Sequence, residues 1–132
     1  MTALDVAPAV SGTGSWTVLC RLSDLAPERG AAALLSDGTQ VAVFRLRDER
    51  VFAVQQHDPF SDAYVISRGI VGSRRIDDVD VPTVASPMYK QVFALATGEC
   101  LDVAGKTPTR GLPPDLRPWP VRVRDGFVEV VS

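Results

Sequence analysis

The sequence predicts an all-β fold built from antiparallel strands. From Trp16 to the end of the chain, short apolar runs alternate with turn residues, and the i, i+3, i+4 spacing of amphipathic helices is not sustained. Two Asp-Gly pairs, Asp37-Gly38 and Asp125-Gly126, separate such runs, and this dipeptide supplies the positive φ that a tight hairpin turn requires. A chain of 132 residues is about one domain.

Composition and charge exclude several classes of protein. With 45% hydrophobic and 23% charged residues and a net charge of −2, the chain has no electrostatic reason to bind nucleic acid or an anionic membrane. The first 15 residues lack the features of a signal peptide, and no apolar stretch is long enough to span a bilayer. We therefore expect a cytoplasmic protein, where its two cysteines, Cys20 and Cys100, stay reduced.

The domain boundary is expected near the first tryptophan. Residues 1–14 are small and show no sustained hydrophobic period, which predicts a flexible N-terminal tail. Residues 15–132 then form the single domain, without internal repeats or low-complexity segments.

The first half of the chain predicts a meander of about four strands. Residues 23–27 are expected to form a turn or a single helical turn, in which Ser23 or Asp24 could cap. Asp37-Gly38 closes the first hairpin, and residues 48–50 turn the chain again. The expected strands are Trp16–Leu22, Ala31–Leu35, Gln40–Leu46 and Val51–Gln55.

The second half of the chain is less regular. Residues 57–82 mix Asp, Gly, Ser and Pro with scattered apolar residues, which predicts a long, packed loop region. Five prolines between residues 105 and 120 remove backbone donors, so this stretch should wrap the surface or form a sheet edge. The remaining strands are expected at Thr83–Ser86, Gln91–Ala94, Cys100–Asp102, Val121–Arg124 and Phe127–Val131.

Several short segments together resemble a known family. They are Asp58-Pro59-Phe60-Ser61, residues 67–72, residues 84–91, the pattern Phe93-x-Leu95-x-Thr97-Gly98 and the terminal hairpin that follows Pro120. Over residues 16–131 the pattern resembles the Rieske-type fold and, within it, the small subunit of assimilatory NAD(P)H-dependent nitrite reductase. The resemblance implies an antiparallel β-sandwich or barrel with a long inserted loop region.

The ligands of a Rieske cluster are missing from the two segments that would carry them. A Rieske [2Fe-2S] centre uses two thiolates and two imidazoles, and the corresponding positions here are Asp58, Phe60, Ser86 and Tyr89. Phe60 has no lone pair, and neutral hydroxyls bind iron poorly. The chain also has a single histidine, one imidazole short of the set. We therefore expect no cofactor, no metal and no catalytic residue on this chain.

The resemblance then implies a subunit that works by contact with a partner. In that enzyme class the large subunit is expected to bind FAD, an iron-sulfur cluster and sirohaem, and to pass electrons from a nicotinamide cofactor to nitrite, giving ammonium. The isolated small subunit is expected to have no activity. Its partner-binding candidates are Phe60, Arg68, Met88, Tyr89 and Lys90, although Phe60 and Tyr89 could instead fill the volume that a cluster would occupy.

Other polar groups have simpler interpretations. His57 beside Asp58 could act as a general base, but a lone histidine in a polar loop is more often structural. The acidic run Asp77, Asp78 and Asp80 lacks the glycine and terminal glutamate of a calcium loop, which favours a solvated turn. Arg74-Arg75 is an exposed basic pair.

An alternative function stays open at this stage. The domain could be a stand-alone Rieske-like interaction or regulatory module of another oxidoreductase, for instance one linked to its partner through a thiol of Cys20 or Cys100. The default for a cysteine in a strand is nonetheless a buried, inert thiol.

Overall fold

The computed structural model describes residues 15–131 and confirms the all-β fold. The predicted tail, residues 1–14, lies outside the described residues. Within residues 15–131, no helix is long and apolar enough to cross a membrane. The same residues contain three short 3-10 turns, at Leu22–Asp24, Ile66–Arg68 and Thr109–Gly111. The strands are β1 Trp16–Arg21, β2 Arg29–Leu34, β3 Gln40–Arg45, β4 Val51–Gln55, β5 Ile70–Ile76, β6 Val79–Ala85, β7 Val92–Ala94, β8 Cys100–Asp102, β9 Pro118–Trp119, β10 Val121–Arg124 and β11 Phe127–Val131.

These strands form three antiparallel sheets, with strand orders β1-β11-β10, β2-β3-β4-β9 and β5-β6-β7-β8. The predicted meander of four strands is therefore wrong in its first member, because β1 pairs with β11 and not with β2. The 3-10 turn at Leu22–Asp24 and Pro27 redirect the chain between the two strands. Neither Ser23 nor Asp24 caps this turn, since its N-cap is Arg21, which makes no side-chain capping hydrogen bond.

The long loop predicted for residues 57–82 is also corrected, because β5 and β6 form a regular hairpin within it. Asp77 and Asp78 make its two-residue turn with φ of +50° and +66°, and Ile76 pairs with Val79 across it. Short polar side chains tolerate this left-handed conformation. Pro82 lies where β6 extends beyond β7, whose pairing with β6 begins at Thr83.

Strand β3 supports the core on both of its faces. Ala42 and Phe44 belong to one buried cluster, whereas Val41 and Val43, on the opposite face, belong to a second cluster. All four side chains are fully buried, and the alternation follows from the period of two in a strand. The first cluster extends toward β6 and β7 through Val84 and Phe93, and the second toward the terminal hairpin through Val128 and Val130.

The proline-rich segment does form a sheet edge, as predicted. Pro118–Trp119 pairs with β4 at the edge of its sheet. Just before it, the backbone N–H of Leu116 donates to the carbonyl of Gly98 at 2.8 Å, which ties the segment to the turn between β7 and β8. The approach is so close that a Cβ on Gly98 would lie 1.9 Å from the carbonyl oxygen of Leu116.

This contact predicts that Gly98→Ala lowers the free energy of unfolding by about 3 kcal/mol or more, measured by urea denaturation, because left-handed backbone strain adds to a backbone clash. Gly38→Ala is the matched control, since Gly38 has a similar φ of +89° but a Cβ added there would meet nothing within 4 Å. Gly38→Ala should lower the free energy of unfolding only by the cost of the left-handed backbone strain, about 1 to 2 kcal/mol. Equal losses in the two variants would contradict the clash.

Candidate functional site

Two loops meet at one end of the domain through a buried hydrogen bond. The first loop comprises residues 56–65 and the second comprises residues 86–91. Ser86 Oγ donates to Asp58 Oδ2 at 2.6 Å, across 28 positions of sequence. Both side chains are almost fully buried. The other carboxyl oxygen, Asp58 Oδ1, accepts the backbone N–H of Phe60 at 2.8 Å.

Asp58 and Ser86 each also close the neck of their own loop. The N–H of Asp58 donates to the carbonyl of Ala63, and the N–H of Ser86 donates to the carbonyl of Gln91. Ser86 Oγ additionally accepts the N–H of Met88 at 3.2 Å. One buried side-chain pair therefore fixes both loops and their position relative to each other.

Phe60 packs into the core and does not project from the loops. Its side chain is 6% exposed, and its ring lies 6.2 Å from that of Phe93 in a tilted arrangement. The carbonyl of Pro59, next to it, accepts the backbone N–H of Thr109 at 2.8 Å, which holds a third segment against the first loop. The space beneath the two loops is thus filled by hydrocarbon.

The tip of the second loop is exposed. Met88 and Tyr89 are 47% and 42% exposed, and Lys90 lies beside them with φ of +69°. Lys106 Nζ, from the segment after β8, lies 4.7 Å from the centre of the Tyr89 ring. Sequence reasoning missed Lys106, because nothing in its local sequence places residues 103–109 next to the second loop.

Arg68 lies in the 3-10 turn at Ile66–Arg68, which packs against β2 and β3. It lines a shallow groove with Glu28, Arg29 and Ile70. Arg68 shares no hydrogen bond or ion pair with the tip of the second loop among the described residues. The structure therefore does not join all the predicted contact residues into one patch.

His57 is paired with Asp62, whereas the sequence suggested Asp58. Its Nε2 lies 2.7 Å from Asp62 Oδ1, and Arg110 donates to the same oxygen at 2.6 Å. The hydrogen bond from His57, followed by that from Arg110, lowers the pKa of Asp62 below its usual value. The carboxyl group of Asp58 bonds to Ser86 and Phe60 and not to His57. The first loop is therefore held against the Thr109–Gly111 turn by the hydrogen bonds of Asp62 to His57 and Arg110.

The residues present do not fit a [2Fe-2S] cluster. Asp58 and Ser86, which the sequence resemblance aligns with the two thiolates, are bonded to each other, and Phe60, aligned with one imidazole, fills the core. Tyr89, at the other imidazole position, faces solvent and packs against Lys106. In the described part of the chain, no group of three or more His, Cys, Asp or Glu side chains is arranged to hold a metal ion.

Neither cysteine has the features of a reactive thiol. Cys20 lies in β1 and Cys100 in β8, and both are free and partly buried. Burial raises the pKa of both thiols above the ordinary value, and the nearby carboxylate of Asp24 raises the pKa of Cys20 further. A raised pKa reduces the thiolate fraction that reacts. The geometry therefore gives no support to a thiol-linked partner.

Comparison with known proteins identifies the family. Residues 15–131 match the model of the Rieske-like [2Fe-2S] domain. The nitrite reductase (NADH) small subunit of Escherichia coli strain K12 is 34% identical over 116 residues, which cover 87% of this chain and 95% of that protein. The chain belongs to this Rieske-like small-subunit family. The resemblance seen in the sequence is thereby confirmed.

Solved structures agree with this assignment. A small subunit from Mycobacterium tuberculosis, described as NADH-dependent nitrite reductase, has a TM-score of 0.74 and 43% identity, covering 90% of this chain and 96% of that one. A Sphingomonas yanoikuyae ferredoxin shares the fold alone, with a TM-score of 0.65 and 18% identity over 88% of this chain and 97% of that one.

One further relative carries the domain within a much longer chain. It is the nitrite reductase [NAD(P)H] large subunit of Klebsiella oxytoca, which is 36% identical over 115 residues. The match covers 87% of this chain but only 11% of that protein.

The buried hydrogen bond predicts that Asp58→Ala lowers the free energy of unfolding by about 3 kcal/mol, because the Ser86 hydroxyl and the Phe60 N–H lose their buried acceptor. Asp37→Ala is the control, since Asp37 accepts the N–H of Thr39 with the same two-residue spacing on the exposed surface. Water replaces the lost acceptor at that exposed site, so Asp37→Ala should lower the free energy of unfolding much less than Asp58→Ala. Similar urea midpoints for the two variants would refute the special importance of Asp58.

Proposed function

We propose that this chain is a docking subunit of an NAD(P)H-dependent nitrite reductase and carries no cluster of its own. The observation that carries the proposal is the hydrogen bond between Asp58 and Ser86. The two positions at which a Rieske protein holds iron through sulfur are engaged with each other, and Phe60 fills the space beneath them. The domain therefore lacks the ligands for a cluster that could carry electrons. The exposed surface of the loops remains available for contact with a partner.

The longer relative supports the choice of partner. In the Klebsiella oxytoca protein a domain similar to this chain is part of the polypeptide named the large subunit. The same domain surface can contact the large subunit whether the two are fused in one polypeptide or are separate chains. A domain that is fused to the large subunit in one protein is therefore well suited to bind a separate large subunit in another.

The proposal divides the chemistry between the two chains. The large subunit would hold FAD, an iron-sulfur cluster and sirohaem, and would transfer electrons from the nicotinamide donor to nitrite. This chain would hold none of these groups and would stabilise the assembly in the cytoplasm, a reducing compartment that suits its two free cysteines.

The proposed contact surface is the tip of the second loop. Met88, Tyr89 and Lys90 project from a loop whose neck is fixed by Ser86, so little backbone conformational entropy is lost when they bind. Phe60 acts from behind by filling the space beneath the loop. Arg68, on its own turn, would contribute at the margin of the interface.

Iron analysis and visible absorption of the anaerobically purified chain test the absence of a cluster. We expect no stoichiometric iron and no charge-transfer bands, because Phe60 offers no donor atom and Asp58 is bonded to Ser86. Nitrite-dependent oxidation of NADH or NADPH should require the large subunit and should change in rate or stability when this chain is added. Bound iron, or nitrite reduction by this chain alone, would overturn the proposal.

Tyr89→Ala tests the docking surface. We expect its dissociation constant for the large subunit to rise about tenfold or more, because an exposed aromatic anchor is lost. Tyr64→Ala is the matched control, since Tyr64 is the other tyrosine of the chain, is 56% exposed, and lines a different groove with Gln40 and Arg117. Isothermal titration gives both affinities, and equal affinities would place the interface elsewhere.

A further inference from the structure

We propose that the large subunit presents an acidic patch to a cationic clamp formed by Tyr89, Lys90 and Lys106. This inference rests on the proposed function and specifies the chemistry of the partner surface. It also adds a second segment, residues 103–109, to the contact surface of the second loop.

Charge is segregated at this end of the molecule. The chain has 14 lysines and arginines against 16 acids, yet its two lysines, Lys90 and Lys106, both lie at the tip. Residues 86–91 and 103–109 together contain no aspartate or glutamate. The domain is therefore weakly acidic overall and locally basic at the exposed loops, which is the charge pattern that attracts an acidic surface.

The two ammonium groups are also free of internal ion pairs. Every ion pair within residues 15–131 uses an arginine or His57, and neither lysine is paired with a carboxylate. Lys106 is instead positioned over the ring of Tyr89 by a cation-π contact at 4.7 Å. An external carboxylate can approach either lysine without first displacing a carboxylate of this chain.

The clamp is held in place by backbone contacts before any partner arrives. The N–H of Lys90 donates to the carbonyl of Ser86 at 3.1 Å, which stabilises its left-handed conformation. The N–H of Lys106 donates to the carbonyl of Val103 at 3.0 Å. Left-handed backbone at a residue other than glycine is uncommon and is often found at binding sites.

The neighbouring side chains indicate that the acidic patch surrounds an apolar socket. Met88 is 47% exposed and Val103 is 44% exposed, on the two segments that carry the lysines. Two lysines are fewer than the roughly four to eight basic residues of a polybasic membrane-binding segment. A protein surface with carboxylates around an apolar centre matches this arrangement, and the large subunit is the partner that the proposed function provides.

The test measures the affinity of the full chain for the large subunit of the same organism at about 0.1 M and about 1 M salt. Between these concentrations the Debye length falls from about 10 Å to about 3 Å, which screens the attraction between charges. Wild-type affinity should fall with salt. The double variant Lys90→Met/Lys106→Met keeps the length and apolar character of both side chains, so it should bind about tenfold more weakly at low salt and lose most of the salt dependence.

A matched control removes the same amount of charge elsewhere. Arg21→Met/Arg47→Met changes two exposed arginines that form no ion pair among the described residues, and it should bind within about twofold of the wild type. Circular dichroism and thermal unfolding confirm that all variants are folded.

The outcomes separate the two proposals. If the wild-type chain binds but the lysine variant retains wild-type affinity and salt dependence, the clamp is refuted and the docking function stands. If both double variants weaken binding equally, net charge is responsible and the clamp is again refuted. If the wild-type chain does not bind the large subunit at either salt concentration, the proposed function fails together with the clamp.

Discussion

The hydrogen bond between Asp58 and Ser86 is the contact on which the exposed end of the molecule depends. The backbone N–H of each residue already closes the neck of its own loop, so this single side-chain bond at 2.6 Å fixes two loops against each other. The bond is buried, and water cannot replace either partner at low cost. It connects the two loops directly, through one side chain from each loop.

A hydrogen bond alone would leave a cavity beneath the loops, and cavities destabilise a core roughly in proportion to their volume. Phe60 removes that problem, because its ring extends the first core cluster up to the loops and contacts Phe93. The loop geometry thus depends on two features: a buried polar pair that joins the loops, and an aromatic ring that fills the space beneath them. Together they support the tip of the second loop.

Much of this could be predicted from the sequence, and the exceptions have physical causes. The strands of the first half and the Asp125-Gly126 hairpin follow from alternation and turn chemistry. The β5–β6 hairpin was missed because its turn is Asp77-Asp78, where aspartates and not glycine adopt positive φ, and because Pro82 and the glycines near it favour loop. The pairing of β1 with β11 joins opposite ends of the chain and leaves no local signal. The site shows the same division: short motifs drew attention to both loops, whereas Lys106 reaches Tyr89 only through the fold.

Most of the core that supports the fold lies away from the two loops. Strand β3 is buried on both faces and joins the two core clusters, one reaching β6 and β7 and the other reaching the terminal hairpin. This support lies outside the loops and does not depend on what holds them together. The loops need only a connection at their necks and a filled space beneath, which Asp58, Ser86 and Phe60 supply. Their exposed side chains are then free to be specialised for contact, and the placement of both lysines beside Tyr89 is consistent with that role.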